Sequence, residues 1–148
     1  MNALYLVRGV PGSGKSEFVQ VMFPGIFHVE NDMWHMRDGD YKWSSKNMPC
    51  AISWCSKMVD LALAEGMDVV VSNTFTKRRF ISAYEALATK HGTKFKVYRC
   101  IGDFSNIHHV SANTVSNFAS SMEDWPGEEI VDPLWVAEQI KQKAFEFE

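Results

Sequence analysis

A glycine-rich loop near the start of the chain constrains its fold more than any other feature. The loop lies between an apolar run at residues 3–8 and an amphipathic stretch, and it has the spacing GxxxxGK(S/T). Glycines in such a loop let backbone N–H groups curl around phosphate oxygens at a helix N-terminus. The pattern therefore predicts a nucleoside triphosphate site, formed by Gly9, Val10, Pro11, Gly12, Ser13, Gly14, Lys15 and Ser16.

Two side chains of this loop have predicted chemical roles. Lys15 reaches the β- and γ-phosphates, so it is both a binding and a catalytic residue, and Ser16 is a ligand of Mg²⁺. The predicted cofactors are therefore ATP or GTP and Mg²⁺. The alternative, a helix-entry turn with incidental glycines, is disfavoured because the preceding strand and the following helix are both present in the pattern.

Short apolar runs alternate with longer amphipathic ones along the whole chain. Strands are predicted at residues 3–8, 26–30, 67–72 and 94–101, and helices at residues 14–23, 49–65, 79–91 and 133–145. Residues 120–132 are predicted to be an irregular polar segment with a Pro-Gly break. This alternation is typical of a parallel α/β protein. Together with the loop it predicts a single domain, residues 1–148, with a three-layer P-loop NTPase fold and a parallel sheet of four to five strands.

The net charge of -3 argues against a general nucleic-acid coat protein, but charge is unevenly distributed. Residues 1–102 carry 13 basic and 9 acidic side chains (+4), and residues 103–148 carry 2 basic and 9 acidic ones (-7). A polyanion, if one binds, is expected to meet the first two thirds of the chain. Three roles remain open for the acidic end: it shields the basic face, it docks on a partner, or it keeps the protein soluble.

The cysteines and the absence of targeting signals indicate a cytoplasmic location. Cys50, Cys55 and Cys100 are odd in number and have no CxxC spacing, which predicts buried structural thiols rather than disulfides or a zinc site. The N-terminus lacks the features of a signal peptide, and the chain has no apolar run of 18 residues. No membrane partner is expected, and the oligomeric state is not predicted.

Several segments together resemble the small P-loop kinases related to the bacteriophage polynucleotide kinase domain. They are the loop at residues 9–16, Asp32 with Gly39 and Tyr41, Val-Val-Val-Ser-Asn-Thr at residues 69–74, and Ala-Tyr-Glu-Ala-Leu-Ala at residues 83–88. The resemblance covers the chain to about residue 130. It implies a helical lid after the fourth strand and transfer of a phosphoryl group to a hydroxyl.

The resemblance implies roles for residues beyond the second and third strands. Asp32 matches the aspartate that accepts the proton of the attacking hydroxyl, or it is linked to Mg²⁺; a helix N-cap or turn is the alternative. Arg37 follows one turn later and is expected to meet a phosphate or the acceptor. The third strand lacks the terminal aspartate that holds Mg²⁺ in many P-loop proteins. Asn73 and Thr74 stand there instead, and they are expected either to contact the acceptor or to end the strand and cap a helix.

Cations and aromatic residues near the same sheet edge have two interpretations each. Lys77, Arg78 and Arg79 either clamp the acceptor's phosphate or form a solvated helix face. The aromatic residues either stack a nucleobase or form a small core under the loop; they are Trp34, Tyr41 and Trp43.

The predicted lid departs from the pattern of the resembling kinases. Residues 109–122 contain no arginine, whereas arginines of the lid stabilise the γ-phosphate in those kinases. The chain is therefore a slow or inactive kinase, or Arg99, Arg79 or a second subunit supplies the charge, or nucleotide binding itself is the output. His108 and His109 either approach the nucleotide or are loop histidines without a function.

The function predicted from these features is ATP-dependent transfer of the γ-phosphate to a hydroxyl of a nucleic acid. The acceptor is a 5′-OH end or a hydroxymethylated base, the latter as in phage DNA modification. Two alternatives remain open. One is a nucleoside or nucleotide kinase with a small closed acceptor pocket, and the other is a catalytically weak, nucleotide-dependent regulatory module.

Overall fold

The computed structural model describes residues 2–35, 48–102 and 112–146. Five parallel strands form one sheet in the order β2-β3-β1-β4-β5. The strands are β1 Ala3–Arg8, β2 Phe27–Val29, β3 Val69–Asn73, β4 Lys94–Cys100 and β5 Glu129–Val131. The predicted α/β class and the parallel sheet are confirmed.

Helices cover both faces of this sheet and complete a three-layer fold. They are α1 Lys15–Met22, α2 Asn31–His35, α3 Met48–Ala64, α4 Arg78–His91, α5 Ala112–Ser121 and α6 Pro133–Glu146. Residues of α3 and α4 pack with Leu4, Leu6 and Val71 on one face of the sheet. Residues of α1 and α6 pack with Val7 and Val70 on the other face. Successive side chains of a strand point to opposite faces, so adjacent residues of β1 and β3 contribute to different cores.

Two short elements were missed by the sequence analysis. Strand β5 lies inside residues 120–132, which were predicted to be irregular; that prediction is wrong for residues 129–131. Only Val131 of β5 is buried, so the strand carries almost no apolar signal. Helix α2 is five residues long, which is too short for a helical period to be visible. Helix α5 follows β4, where the resemblance implied a lid helix.

No helix among the described residues is long and apolar enough to span a bilayer.

A buried arginine joins the end of β1 to the segment that precedes β5. Arg8 is fully buried, and its Nη1 lies 2.7 Å from Oε1 of Glu128. Its Nε and Nη2 donate to the carbonyl oxygen of Phe75, and Nη2 also donates to the carbonyl oxygen of Glu123. This guanidinium therefore fixes residues 122–128 against the loop that follows β3. Arg8 itself immediately precedes the glycine-rich loop.

We expect Glu128→Gln to lower the free energy of unfolding by about 3 kcal/mol, the range seen when a buried ion pair loses one charge. Both carboxylate oxygens of Glu128 accept hydrogen bonds, Oε1 from Arg8 and Oε2 from the backbone N–H of Trp125 and from Arg99. An amide NH₂ in either orientation would therefore face a donor. Urea unfolding followed by circular dichroism measures the change.

The neighbouring substitution Glu129→Gln is the matched control. Glu129 is half exposed and pairs with exposed Lys96, so its loss should cost less than about 1 kcal/mol. Equal unfolding midpoints for the two variants would contradict a structural role for the buried pair.

Candidate active site

At Gly9 the glycine-rich loop leaves no room for a side chain. A Cβ atom at Gly9 would lie 2.7 Å from the carbonyl oxygen of Cys100, and it would clash with Oγ of Ser13. Gly12 and Gly14 have φ angles of 80° and 96°, in the region that favours glycine. The backbone N–H groups of the loop can therefore approach a ligand closely, directly at the N-terminus of α1.

Two polar groups of the loop are arranged as expected for a site that binds an anion. Oγ of Ser13 is buried and has no hydrogen-bond partner among the described residues. Nζ of Lys15 donates to the carbonyl oxygens of Gly9 and Val10, at 3.0 and 3.1 Å. Carbonyl oxygens of the loop thus accept hydrogen bonds from the ammonium group of Lys15. The phosphate oxygens of a bound nucleotide would be stronger acceptors for the same group. These features fit a triphosphate.

Burial lowers the pKa of Lys15, and neighbouring negative groups oppose this effect. After the Cys100 thiol, the largest opposing contributions to the pKa come from Glu30 and then Asp32. Both carboxylates therefore lie close enough to the loop to act on its ammonium group. Ser16 is exposed in the first turn of α1, where a hydroxyl can reach a metal ion bound to the phosphates.

Asp32 occupies the first turn of α2, with an exposed side chain. Asn73, the last residue of β3, fixes the start of this helix: its Oδ1 accepts from the backbone N–H of Asn31 at 2.8 Å. Its Nδ2 donates to Oδ1 of Asn31 at 3.4 Å. Asn73 therefore holds the start of α2, the helix that carries Asp32, and contact of Asn73 with an acceptor stays a prediction. Thr74 follows it, half-buried.

A second polar cluster at the ends of β2 and β3 was not recognised from the sequence. Oγ of Ser72 donates to Oε2 of Glu30 at 2.9 Å, and Nε2 of His28 lies 2.6 Å from the same Oγ. Ser72 is buried, while His28 and Glu30 are half-buried. The sequence signal for the cluster is the alternation of polar His28 and Glu30 with apolar Phe27 and Val29, in β2 and the residue that follows it.

The three predicted acceptor cations differ in their surroundings. Lys77 is the residue before α4 and is half-buried. Arg78 is bound to residues 123–128, named here the acidic segment: its backbone N–H donates to Oε1 of Glu123 and its Nε donates to the carbonyl oxygen of Asp124. Arg79 is exposed, with its guanidinium 4.9 Å from the centre of the Phe80 ring. Arg78 and Arg79 are thus both exposed, and Arg78 is bound to residues 123 and 124.

Arg99, the proposed substitute for a lid arginine, is held by carboxylates. Its Nη1 lies 2.6 Å from Asp124 and 3.3 Å from Glu128. It also lines a cavity of 170 Å³ between the glycine-rich loop and α5, to which Val10 and Met122 contribute. Helix α5 therefore lies beside the loop, as a lid would, and it contributes no arginine of its own.

The described residues contain no cluster of three or more His, Cys, Asp or Glu side chains that could hold a metal ion. Mg²⁺ bound to a nucleotide does not need such a cluster, because it keeps several waters and takes phosphate oxygens as ligands. A hydroxyl and one carboxylate suffice, and the site offers the hydroxyl of Ser16 together with the carboxylates of Glu30 and Asp32, which act on Lys15. Among the cysteines Cys55 and Cys100 are buried as predicted, whereas Cys50 is exposed.

The sequence profile of the AAA domain family matches residues 4–109, which include the loop and the ends of β2, β3 and β4. The chain belongs to the AAA domain family. A relative of this AAA domain is an uncharacterized protein of Pasteurella multocida (strain Pm70), 31% identical over 142 residues. The match covers 85% of this chain and 79% of that protein.

Three solved structures resemble this AAA domain. A sugar kinase of Janibacter sp. HTCC2649 has a TM-score of 0.66 at 14% identity, over 98% of this chain and 94% of that chain. The Mycobacterium tuberculosis APS kinase with AMPPNP and APS has a TM-score of 0.62 at 14% identity, over 97% and 96%. The RNA repair complex Pnkp1/Rnl/Hen1 has a TM-score of 0.58 at 16% identity, over 97% of this chain and 44% of that chain. These likenesses show a P-loop NTPase fold and leave the acceptor open.

The predicted resemblance is therefore correct for the P-loop domain and is not specific for polynucleotide kinases. The sugar kinase and the APS kinase match this AAA domain over nearly their whole length, unlike the chain of the repair complex.

Several predicted site residues lie outside the described part of the chain. They are Arg37, Tyr41 and Trp43, which follow α2, and His108 and His109, which precede α5. Trp34 lies within α2 and is half-buried. Nucleobase stacking by the aromatic residues and a role for Arg37 therefore stay predictions.

Proposed function

We propose that this AAA domain is a kinase that transfers the γ-phosphate of ATP to a hydroxyl group of a small molecule. The observation that carries the proposal is the position of Lys15, whose ammonium group donates to carbonyl oxygens of the glycine-rich loop while the charge of Asp32, in the first turn of α2, acts on its pKa. The loop offers amide donors for the triphosphate. The carboxylate offers an acceptor for the proton that the attacking hydroxyl loses.

We assign each step of the proposed reaction to a residue of the site. The backbone amides of Gly12 and Gly14 and the ammonium group of Lys15 bind the β- and γ-phosphates. Asp32 orients the acceptor hydroxyl and receives its proton as the new P–O bond forms and the bond between the γ-phosphorus and the β–γ bridging oxygen breaks, which releases ADP. Ser16 and a nearby carboxylate would hold Mg²⁺, which neutralises phosphate charge when it is bound. Asn73 keeps the first turn of α2, and with it Asp32, in position.

The acidic segment supports a small acceptor over a nucleic acid. A nucleic-acid channel requires exposed cations along its length, because the backbone charge dominates affinity. Here Arg78 and Arg99 are bound to residues of the segment 123–128, and α5 contributes no further arginine. The acceptors that fit are nucleosides, nucleotides, sugars and other small polyols.

A nucleic-acid hydroxyl remains the second candidate, with Lys77 and exposed Arg79 as its phosphate contacts. The observation in its favour is the position of these two cations at the N-terminus of α4, near the carboxyl edge of the sheet. A phage DNA-modification role has no counterpart among the relatives described above. A regulatory module that binds nucleotide without turnover is supported by the carboxylate partners of Arg99.

Incubation with γ-labelled ATP or GTP and a panel of acceptors tests these possibilities. The panel contains nucleosides, nucleoside monophosphates, sugars, adenylyl sulfate, 5′-OH oligonucleotides and hydroxymethylated DNA. Label in a small acceptor is the expected result. Label in an oligonucleotide would favour transfer to a nucleic-acid hydroxyl. Nucleotide binding without label in any acceptor would favour the regulatory module.

A further inference from the structure

The cavity beside the glycine-rich loop has a volume of 170 Å³ and a cation in its wall. Val10 of the loop, Ile101 and Met122 line it with apolar side chains. Among the described residues that line the cavity, Arg99 is the only charged one. A cavity of about 150 Å³ is large enough to hold benzene, so this one has room for part of a small organic molecule.

Two carboxylates bind Arg99, and they differ in exposure. Nη1 of Arg99 lies 3.3 Å from Oε2 of Glu128, whose side chain is 8% exposed. The same Nη1 lies 2.6 Å from Oδ1 of Asp124, whose side chain is 82% exposed. Glu128 also accepts from Arg8 and from the backbone N–H of Trp125, so it is a fixed part of the fold. Exposed ion pairs are weak, which makes Asp124 the exchangeable partner of Arg99.

Only the side chain of Asp124 has to turn for its carboxylate to leave Arg99. The backbone on either side is held, because Nε of Arg78 donates to the carbonyl oxygen of Asp124 at 2.6 Å. The backbone N–H of Glu123 donates to the carbonyl oxygen of Thr76 at 2.7 Å. Exposed side chains change rotamer rapidly. The contact between Asp124 and Arg99 can therefore open while the acidic segment stays in place.

Arg99 has further donors for a ligand in the cavity. Both of its hydrogen bonds to the acidic segment use Nη1. A guanidinium carries five N–H donors in a planar fork, and this fork matches the oxygens of a phosphate or sulfate group. Because Glu128 keeps its contact with Nη1, Arg99 stays oriented when Asp124 turns away.

We infer that Arg99 binds a phosphate or sulfate ester group of the acceptor, and that the carboxylate of Asp124 occupies this place until the acceptor displaces it. This inference rests on the proposed function, since it concerns the acceptor of the same reaction. It narrows the acceptors to small molecules that carry such an ester group, for example nucleoside monophosphates and sugar phosphates. Uncharged nucleosides and sugars cannot replace the charge of Asp124 at Arg99.

The order of the strands indicates the shape of such an acceptor. Asp32 follows β2 and Arg99 lies near the end of β4, three positions away in the sheet. Neighbouring strands are about 4.8 Å apart, so the backbone positions at the two sites are separated by about 14 Å. An acceptor that reaches from Asp32 to Arg99 is therefore extended, with its hydroxyl and its ester group at opposite ends.

Binding of inorganic phosphate to the protein saturated with Mg²⁺ and AMPPNP tests the inference without any need for turnover. AMPPNP fills the glycine-rich loop, so added phosphate cannot bind there. Equilibrium dialysis with radiolabelled phosphate measures the affinity. Asp124→Asn should bind phosphate roughly 5-fold more tightly than the unmodified protein, the factor expected when an exposed ion pair no longer competes.

Two further variants make the result specific. Arg99→Gln, introduced into the Asp124→Asn protein, should remove the gain in phosphate affinity because the cation is lost. Glu138→Gln is the matched control: it removes an exposed carboxylate that pairs with Lys141 on α6, and it should leave phosphate binding unchanged. Circular dichroism checks that each variant is folded, and AMPPNP affinity should change less than about 2-fold in all of them.

Unchanged phosphate binding in folded Asp124→Asn would overturn the inference while leaving AMPPNP binding, and hence the proposed function, intact. A gain that persists after Arg99→Gln would also overturn it, because the phosphate would then bind elsewhere. Weaker binding of AMPPNP to Arg99→Gln would place Arg99 on the triphosphate and not on the acceptor. Failure of the unmodified protein to bind AMPPNP would instead contradict the proposed function, and this inference with it.

Discussion

Asp32→Asn should lower the rate of phosphoryl transfer by about 10² to 10⁴-fold, the usual contribution of a general base. An amide has nearly the same size as a carboxylate and can still hydrogen-bond the acceptor hydroxyl. It cannot take the hydroxyl's proton. Because the side chain of Asp32 is exposed and the phosphate-binding groups lie in the loop, ATP affinity should change less than about 2-fold. Single-turnover transfer to the labelled acceptor, with calorimetry of ATP binding, measures both quantities.

The backbone around Asp32 should be unaffected by this change, since Asn73 holds the first turn of α2 through the N–H of Asn31. Glu85→Gln is a control for the loss of one negative charge at a distant exposed position. Full turnover by Asp32→Asn would remove this residue from the mechanism. Equal loss in both variants would point to a general effect of charge.

Lys15→Ala should weaken ATP binding roughly 10- to 100-fold, which corresponds to the loss of charge-assisted hydrogen bonds to the phosphates. Transfer should fall on the order of 10³-fold or more, because the ammonium group also stabilises charge in the transition state. The variant should fold, since Lys15 bonds only to the carbonyl oxygens of Gly9 and Val10 among the described residues. Calorimetry and the transfer assay measure the two losses separately.

Lys57→Ala, an exposed position on α3, is the matched control and should behave like the unmodified protein. If Lys15→Ala retained full ATP affinity, the ammonium group would not contact the triphosphate. The assignment of the loop as the triphosphate site would then be contradicted.

The parts of the fold that the sequence predicted are those with a strong local signal. The loop at residues 9–16 has a required spacing, and β3 contains three consecutive valines that are fully buried. Helix α4 repeats apolar residues at helical spacing, and Ile81, Tyr84 and Ala88 are its buried residues. These signals are local, so they do not depend on how distant segments meet.

The parts that the sequence did not predict depend on contacts between distant segments. Residues 123–128 bind the side chains of Arg8, Arg78 and Arg99, and the three roles left open for the acidic end stay predictions. Arg8 and Glu128 are 120 residues apart, and no pattern near either residue identifies the other. The uneven distribution of charge along the chain was the available sequence signal. It does not identify which acidic residue pairs with which basic residue.

The polar cluster around Glu30 was missed for a related reason. Its recognition requires the parallel register of β2 with β3, where Val29 pairs with Val71. A strand of three residues gives too little alternation to establish that register from sequence. Once the register is known, Glu30 and Ser72 are neighbours at the same edge of the sheet.

The loop at residues 9–16 is expected to bind the phosphates of a nucleoside triphosphate. Calorimetry with Mg²⁺-loaded ATP and GTP tests it most directly, with the unmodified protein and Lys15→Ala measured side by side. The expected result is one saturable binding heat for at least one of the two nucleotides, strongly reduced in the variant. The absence of binding heat with both nucleotides, or equal heats in the two proteins, would contradict the claim.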